Sequence, residues 1–258
     1  MSAEQKDHLS RAERERERYN EGLDDRYRDF LMNSMYHFEN FRIETGSSVI
    51  KSFDKPRVLE FGSYAWHKYV ERGGCDVGEL ICINISEAEM EKGRQFAETS
   101  RVKPDFRLMD AHKLEFEDDS FDVVFGAAIL HHLDMPLALS EIRRVLKPGG
   151  RMFFIEPMDM NPVGRLVRSL TPSARTEDER PFRMHDLALL QESFDCRFEF
   201  TEFLTVPVGA AATALGVPGD SRFLGAVFRI DRAIAQVPGL RTWCRNVLVT
   251  GRPKPGAA

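Results

Sequence analysis

Residues 109–157 read MDAHKLEFEDDSFDVVFGAAILHHLDMPLALSEIRRVLKPGGRMFFIEP. Two near-continuous apolar runs, FDVVFGAAIL (121–130) and RMFFIEP (151–157), enclose one amphipathic segment. Within 135–147, Leu139, Ile142, Val145 and Leu146 recur at helical spacing on one face. Lys147-Pro148-Gly149-Gly150 reads as a sharp helix stop. Strands that are apolar on both faces, separated by a helix, belong to a parallel sheet covered on both sides.

The same alternation extends toward the N-terminus. RVLEF (57–61), ELICINI (79–85) and DFRLMD (105–110) are three more strand-like runs. Ser86 is a good N-cap for the segment SEAEMEKGRQFAETS, and Glu89, three residues on, completes a capping box. Toward the C-terminus, RFEFTEFLTV (197–206) and NVLVTGR (246–252) read as two further strands. The expected fold class is α/β, a Rossmann-like doubly wound sheet. Ligands of such sheets sit beyond the carboxyl ends of the strands, near the switch in strand order. Functional residues are therefore expected in 61–67, 83–86, 109–112, 126–132 and 155–160.

Three segments flank or interrupt this pattern. Residues 1–50 form an N-terminal helical extension, with Tyr27, Phe30, Leu31, Met35, Phe38 and Phe41 at helical spacings. Their RAERERER stretch reads as a solvated helical face, with a lid or a partner contact as the alternative. Residues 51–258 form the main domain, and 206–240 an apolar insert between its last two strands. The insert could be a cap on the sheet, an acceptor-pocket lid, a dimer surface or a membrane-touching patch.

Composition narrows the function classes. The chain has 258 residues, 42% hydrophobic and 30% charged, with a formal net charge of −5. That balance suits a globular protein and gives no general pull toward nucleic acid. Cys75, Cys82, Cys196 and Cys244 are widely spaced without a CxxC, which argues for free buried thiols and against structural zinc. The charged N-terminus is not a secretory signal, and no run approaches the roughly 18 apolar residues of a membrane span. A cytoplasmic protein without an integral membrane segment is expected; a homodimer stays open.

The strand ends carry the chemistry. Gly62 permits a tight turn and close backbone approach. The helix after it would point its N-terminus at the pocket and favour an anion. Asn84 can bind a diol or serve helix entry. Asp110 can accept from an exocyclic amine or cap the next turn. His131 and His132 could act as base or orient an acceptor, or be structural; no spacing supports a metal site. Glu156 could meet a cationic or hydroxylated substrate, or make a structural ion pair.

Taken together, these residues resemble the class I S-adenosylmethionine-dependent methyltransferases, of the small-molecule, ubiquinone/sterol-type branch. The likeness runs over about 56–157. It is carried by ICINISEAEM, the DA at 110–111, DSFDVV, LHH and RVLKPGG. The resemblance implies a seven-stranded sheet, six strands parallel and the last antiparallel, with NVLVTGR as that last strand. It implies S-adenosylmethionine as cofactor and a small-molecule acceptor. By position, Gly62 lies by the methionine part, Asn84 by the ribose, and Asp110 and Ala111 by the adenine. Leu130 and His131 would line the channel to the acceptor. Glu60, Ser63, Tyr64, Ile85 and His112 complete the expected cofactor site; His131, His132 and Glu156 are the catalytic candidates.

The departure lies in VLEFGSYAWHKYV (58–70). The family's glycine-rich turn would place glycines at 64 and 66, where this chain has Tyr64 and Trp66. They could fill part of the site or point away. Tyr64, Trp66 and His67 also carry donors for a carboxylate, and an aromatic face can hold a sulfonium. The expected activity is methyl transfer to an O, N or C atom of a small molecule. The alternative is a protein of this fold that binds a ligand or runs a non-methylating reaction. Phe182, Met184 and the insert suggest hydrophobic acceptor walls. A dehydrogenase is disfavoured by the missing G-x-G-x-x-G and by the lack of an acid ending the second strand.

Overall fold

A computed structural model describes residues 35–159, 161, 165 and 180–255. Seven strands form one sheet: β1 Arg57–Phe61, β2 Glu79–Asn84, β3 Asp105–Leu108, β4 Phe121–Ala127, β5 Leu146–Pro157, β6 Phe194–Thr201 and β7 Asn246–Pro253. Their order is β3-β2-β1-β4-β5-β7-β6. Strand β7 runs antiparallel to both β5 and β6, and the other six strands share one direction.

Alternation along the strands separates two apolar layers. Leu59, Phe61, Ile83, Val124 and Phe154 face one side, under α3 (Met135–Val145) and α4 (Met184–Ser193). Val58, Cys82, Phe125, Phe153 and Leu248 face the other, with α1 (Tyr36–Ile50) and α2 (Glu87–Thr99). Because both faces are covered, the strands read as continuous apolar runs. Helix α1 buries Phe38, Ile43, Val49 and Ile50. The RAERERER stretch lies outside the described residues.

Three local expectations are refined. The helix expected after β1 is present as a six-residue π-helix, His67–Arg72. Helix α3 stops at Val145, before Lys147-Pro148-Gly149-Gly150. That tetrapeptide belongs to the start of β5, where the register jumps from Phe121↔Leu146 to Val123↔Arg151. Gly149 takes φ +83°, which its lack of a Cβ allows. The Asp122 carboxylate steadies the irregularity by accepting the Arg57 N–H at 2.8 Å and the Lys147 ammonium at 2.9 Å. The capping box at α2 is split. Ser86 Oγ accepts the Glu89 N–H at 3.3 Å, but the Ser86 N–H goes to Asn84 Oδ1 at 2.9 Å.

The insert is a helical hairpin, α5 (Thr205–Ala214) and α6 (Arg222–Ile234). A buried charged cluster fastens it. Glu202, at φ +71°, pairs with Arg42 at 2.6 Å and Arg245 at 3.2 Å, and accepts from Asn246 at 2.9 Å. Asp231 of α6 accepts the N–H groups of Glu202 and Leu204 at 3.1 and 2.7 Å. Helix α1, the insert and β7 thereby meet at one end of the sheet.

Candidate active site

A cavity of about 180 Å³ opens at the carboxyl ends of β1, β2 and β4 and the segment after β3. Strand β1 sits centrally, with β2 on one side and β4 on the other, so this is the switch point of the sheet.

The loop after β1 is held from within. Glu60 is fully buried, and its carboxylate accepts the N–H groups of Tyr64, Ala65 and Trp66 at 3.0, 2.6 and 3.1 Å. The Cys82 thiol donates to its Oε2 at 3.1 Å. The anion at this helix entry is therefore the chain's own carboxylate, not a ligand's. Gly62 turns the chain at φ +108° and donates its N–H to Ile83 O at 2.8 Å. The two aromatic replacements diverge. Trp66 is fully buried in the core and gives its indole N–H to Ser63 O at 3.3 Å, so it does not meet a ligand. Tyr64 lines the cavity, 40% exposed, with its ring edge-on to Phe96 at 4.9 Å. Close approach is instead granted by Gly93 in α2, where a Cβ would stand 2.2 Å from Ser63 O.

At β2, Asn84 joins two turns. Its Nδ2 donates to Ser63 Oγ at 3.1 Å, and Ser63 Oγ donates to Glu89 O at 2.9 Å. After β3, Asp110 Oδ1 accepts the His112 N–H at 2.9 Å and lies 2.6 Å from His112 Nδ1. The Asp134 N–H donates to His112 Nε2 at 2.8 Å. Nε2 is thus the acceptor, which places the ring proton on Nδ1, toward Asp110.

Glu156, at the end of β5, repeats the device of Glu60. Its carboxylate accepts the N–H groups of Ile129, Leu130 and His131 at 3.1, 2.9 and 3.4 Å, and lies 2.7 Å from His131 Nδ1. This clasp shapes the 3₁₀ turn Leu130–His132. Burial raises the carboxyls of both Glu60 and Glu156 to about 7, against the pull of the backbone donors. Burial and the adjoining Glu60 charge push the Cys82 thiol well up, so it stays a neutral donor.

The cavity wall includes Glu60, Gly62, Ser63, Tyr64, Asn84, Ile85, Asp110, Ala111 and His112. Leu130 is fully buried in the core and is not part of that wall. Of the catalytic candidates only His132 lines the cavity; His131 and Glu156 are buried beside it, with the His131 and His132 ring centroids 4.0 Å apart. Met109, Ala128 and Ile129 also line it, inside the expected segments 109–112 and 126–132, and Glu89 and Leu133 line it from outside them. Glu89 could have been found, since it stands in the first turn of the helix leaving β2. Ala128 was expected only as part of 126–132; its φ of +54° is set by the fold.

Residues 60–154 match the family described as methyltransferase domain. The match covers little more than a third of the chain and supports the resemblance to class I S-adenosylmethionine-dependent methyltransferases. The chain is 39% identical over 94 residues to a demethylmenaquinone methyltransferase of Symbiobacterium thermophilum, covering 35% of this chain and 37% of that protein. It is 33% identical over 108 residues to a glycine/sarcosine/dimethylglycine N-methyltransferase of Actinopolyspora halophila, covering 40% of this chain and 19% of that protein. The chain thus spans well under half the length of these relatives. Among solved structures, the geranyl diphosphate C-methyltransferase of Streptomyces coelicolor A3(2) superposes with TM-score 0.61 at 13% identity, over 90% of this chain and 85% of that one. The 4+2 cyclase SpnF superposes with TM-score 0.56 at 19% identity, over 84% and 80%. At these identities the superpositions speak for the fold.

The methyltransferase domain match begins at Glu60 and ends at Phe154, so it holds four of the five expected strand ends but stops short of Glu156. Within it the donor set suits an adenosyl amino acid. Gly62 leaves open backbone, Asn84 and Asp110 offer polar side chains, and Ile85, Met109 and Ala111 add apolar wall. Among the described residues no group of three or more His, Cys, Asp or Glu is arranged to hold a metal, and no helix is long and apolar enough to cross a membrane.

Proposed function

We propose that the protein transfers the methyl group of S-adenosylmethionine to an O, N or C atom of a small, hydrophobic molecule. The observation that carries this reading is the cavity at the switch point, walled by Gly62, Asn84, Asp110 and Ala111 within the matched methyltransferase domain. Gly62 receives the methionine part, Asn84 the ribose hydroxyls, with Glu89 as a second acceptor beside it, and Asp110 with Ala111 the adenine. When bound, the cofactor supplies an electrophilic methyl on a sulfonium. The chain supplies alignment and exclusion of water. Where the acceptor must lose a proton, His132 is the base, because it alone of the three candidates reaches the cavity. Glu156 and His131 act as positioning residues that hold the turn bearing His132.

A second reading is favoured by one observation, the Tyr64 ring on the wall where the family has glycine. The fold would then bind a ligand or serve a non-methylating reaction. Calorimetric titration with S-adenosylmethionine and S-adenosylhomocysteine separates the two. Binding of both in the micromolar range, with label passing to an acceptor in a panel of apolar metabolites, supports methyl transfer. Failure of both to bind at about 1 mM, a bare −4 kcal/mol, ends that reading. Binding without transfer leaves the second.

A further inference from the structure

The insert differs in charge and surface from the rest of the molecule. Residues 203–245 hold five arginines, two aspartates and neither lysine nor glutamate, in a chain of formal net charge −5. Asp231 is buried, and Arg232 and Arg245 pair with Glu199 and Glu202. Arg222 and Arg229 are exposed and make no ion pair among the described residues. Seven residues separate them, close to two helical turns, so they share one side of α6.

Beside them runs an apolar strip. Phe223 and Ile230, also seven apart, are 56% and 55% exposed. Past the helix, Val237, Leu240 and Trp243 are also exposed, at 45%, 41% and 44%, and Leu215, at the hairpin turn, is 80% exposed. Soluble surfaces seldom gather so many large apolar side chains on one element. An amphipathic helix with an apolar strip edged by arginine matches the pattern of helices that lie in a membrane interface.

We propose that the α5–α6 hairpin docks on an anionic lipid bilayer. Charge complementarity selects this occupant. A second copy meeting the same face about a two-fold axis would bring Arg222 and Arg229 toward their own counterparts. An anionic lipid surface attracts this basic patch and repels the rest of an acidic chain, which also sets the orientation. The hairpin leaves the carboxyl end of β6 and returns at the start of β7, the sheet edge that bears the cavity. Docking therefore turns that edge toward lipid. The docking itself does not depend on the methyl-transfer reading.

The test uses the full chain and vesicles of phosphatidylcholine, alone or with about 30% phosphatidylglycerol. Co-sedimentation is read beside tryptophan emission, since Trp243 is 44% exposed while Trp66, the other tryptophan, is buried. The expected result is binding to the phosphatidylglycerol vesicles with a blue-shifted emission that Trp243→Phe removes. Binding should weaken about tenfold or more in Phe223→Ser/Ile230→Ser and in Arg222→Glu/Arg229→Glu, and at about 0.5 M salt. Circular dichroism and Tm confirm that the variants fold. No binding to either vesicle, equal binding to both, or undiminished binding by the folded variants would overturn the proposal. So would a wild-type dimer that Phe223→Ser/Ile230→Ser splits without any vesicle binding, which assigns the face to a second copy.

Discussion

Oε2 of Glu156 lies 2.7 Å from Nδ1 of His131, and both side chains are closed off from solvent. The pair sits beside the cavity without entering its wall, and the same carboxylate holds three successive N–H groups at the exit of β4. Glu60 holds three successive N–H groups after β1 in the same way. Two buried carboxylates thus shape the two turns that frame the site.

Glu156→Ala should leave those N–H groups and the His131 ring without their acceptor. A loss of about 3 kcal/mol in unfolding free energy is expected, since each stranded buried polar group costs about 1–3 kcal/mol. Glu156→Gln, which keeps an acceptor oxygen, should recover part of it. Urea denaturation measures the stability. S-adenosylhomocysteine affinity should fall in Glu156→Ala and return in part with Gln, an outcome that a merely structural role far from the site would not give.

Stability should fall as pH rises toward neutrality. Glu60 and Glu156 have folded-state values of about 7 against an ordinary 4.5. Between those limits the folded chain binds protons that the unfolded chain has released. Their contribution is complete below about pH 4.5 and is lost as pH climbs through about 7, by about 3 kcal/mol each. Glu39, Glu71 and Glu141 are shifted down by their cationic and backbone partners, so their contribution is lost only as pH falls below the ordinary carboxylate range. Unfolding free energy measured from pH 5 to 8 should decline, and Glu60→Gln should flatten part of the decline. An unchanged slope in that variant would remove Glu60 from the explanation.

The two aromatics of the first loop should separate when mutated. Trp66→Gly empties a core site and should cost about 3–5 kcal/mol, as large-to-small core changes do. Tyr64→Gly should alter stability by less than about 1 kcal/mol, because the ring stands at the surface. Its effect should appear in binding. The ring is braced on Phe96 and forms cavity wall, so a several-fold weaker affinity for S-adenosylhomocysteine is expected. Tighter binding would instead mark Tyr64 as an obstruction.

Gly93→Ala should act on the cofactor loop from a different helix. Its Cβ would fall 2.2 Å from Ser63 O, so helix or loop must move. Overpacking of this kind costs about 1–3 kcal/mol. A matching drop in S-adenosylhomocysteine affinity, read by calorimetry, would tie the close approach to the site; a drop in stability alone would make it packing only.

Much of the fold was legible because both periodicities are strong. Strands in the stretch 109–157 were read from their apolar runs, and the helix between them from Leu139, Ile142 and Val145. The helix stops just before KPGG as expected, but proline and glycine stop helices and permit bulges alike; only the pairing of Phe121 and Val123 with β5 shows the second role. The cavity was legible by position. Strand ends converge at the switch point of such a sheet, so Gly62, Asn84 and Asp110 could be expected on its wall. Side-chain direction was not legible. Tyr64 and Trp66 lie two residues apart in one loop, yet one walls the cavity and the other joins the core.

Local sequence by itself determined the alternation of strand and helix, and with it the sheet and the edge that bears the cavity. Tertiary structure alone decided which side chains reach that cavity. His131 and His132 are neighbours of the same type, but the Glu156 carboxylate, 25 residues on, draws the first inward and leaves the second on the wall. Hydrogen bonds between residues so far apart in the chain depend on register and burial, which no local pattern encodes. The same holds for Glu60. Its position was visible in VLEFG, but its work of holding three backbone N–H groups in place of a ligand required the folded loop.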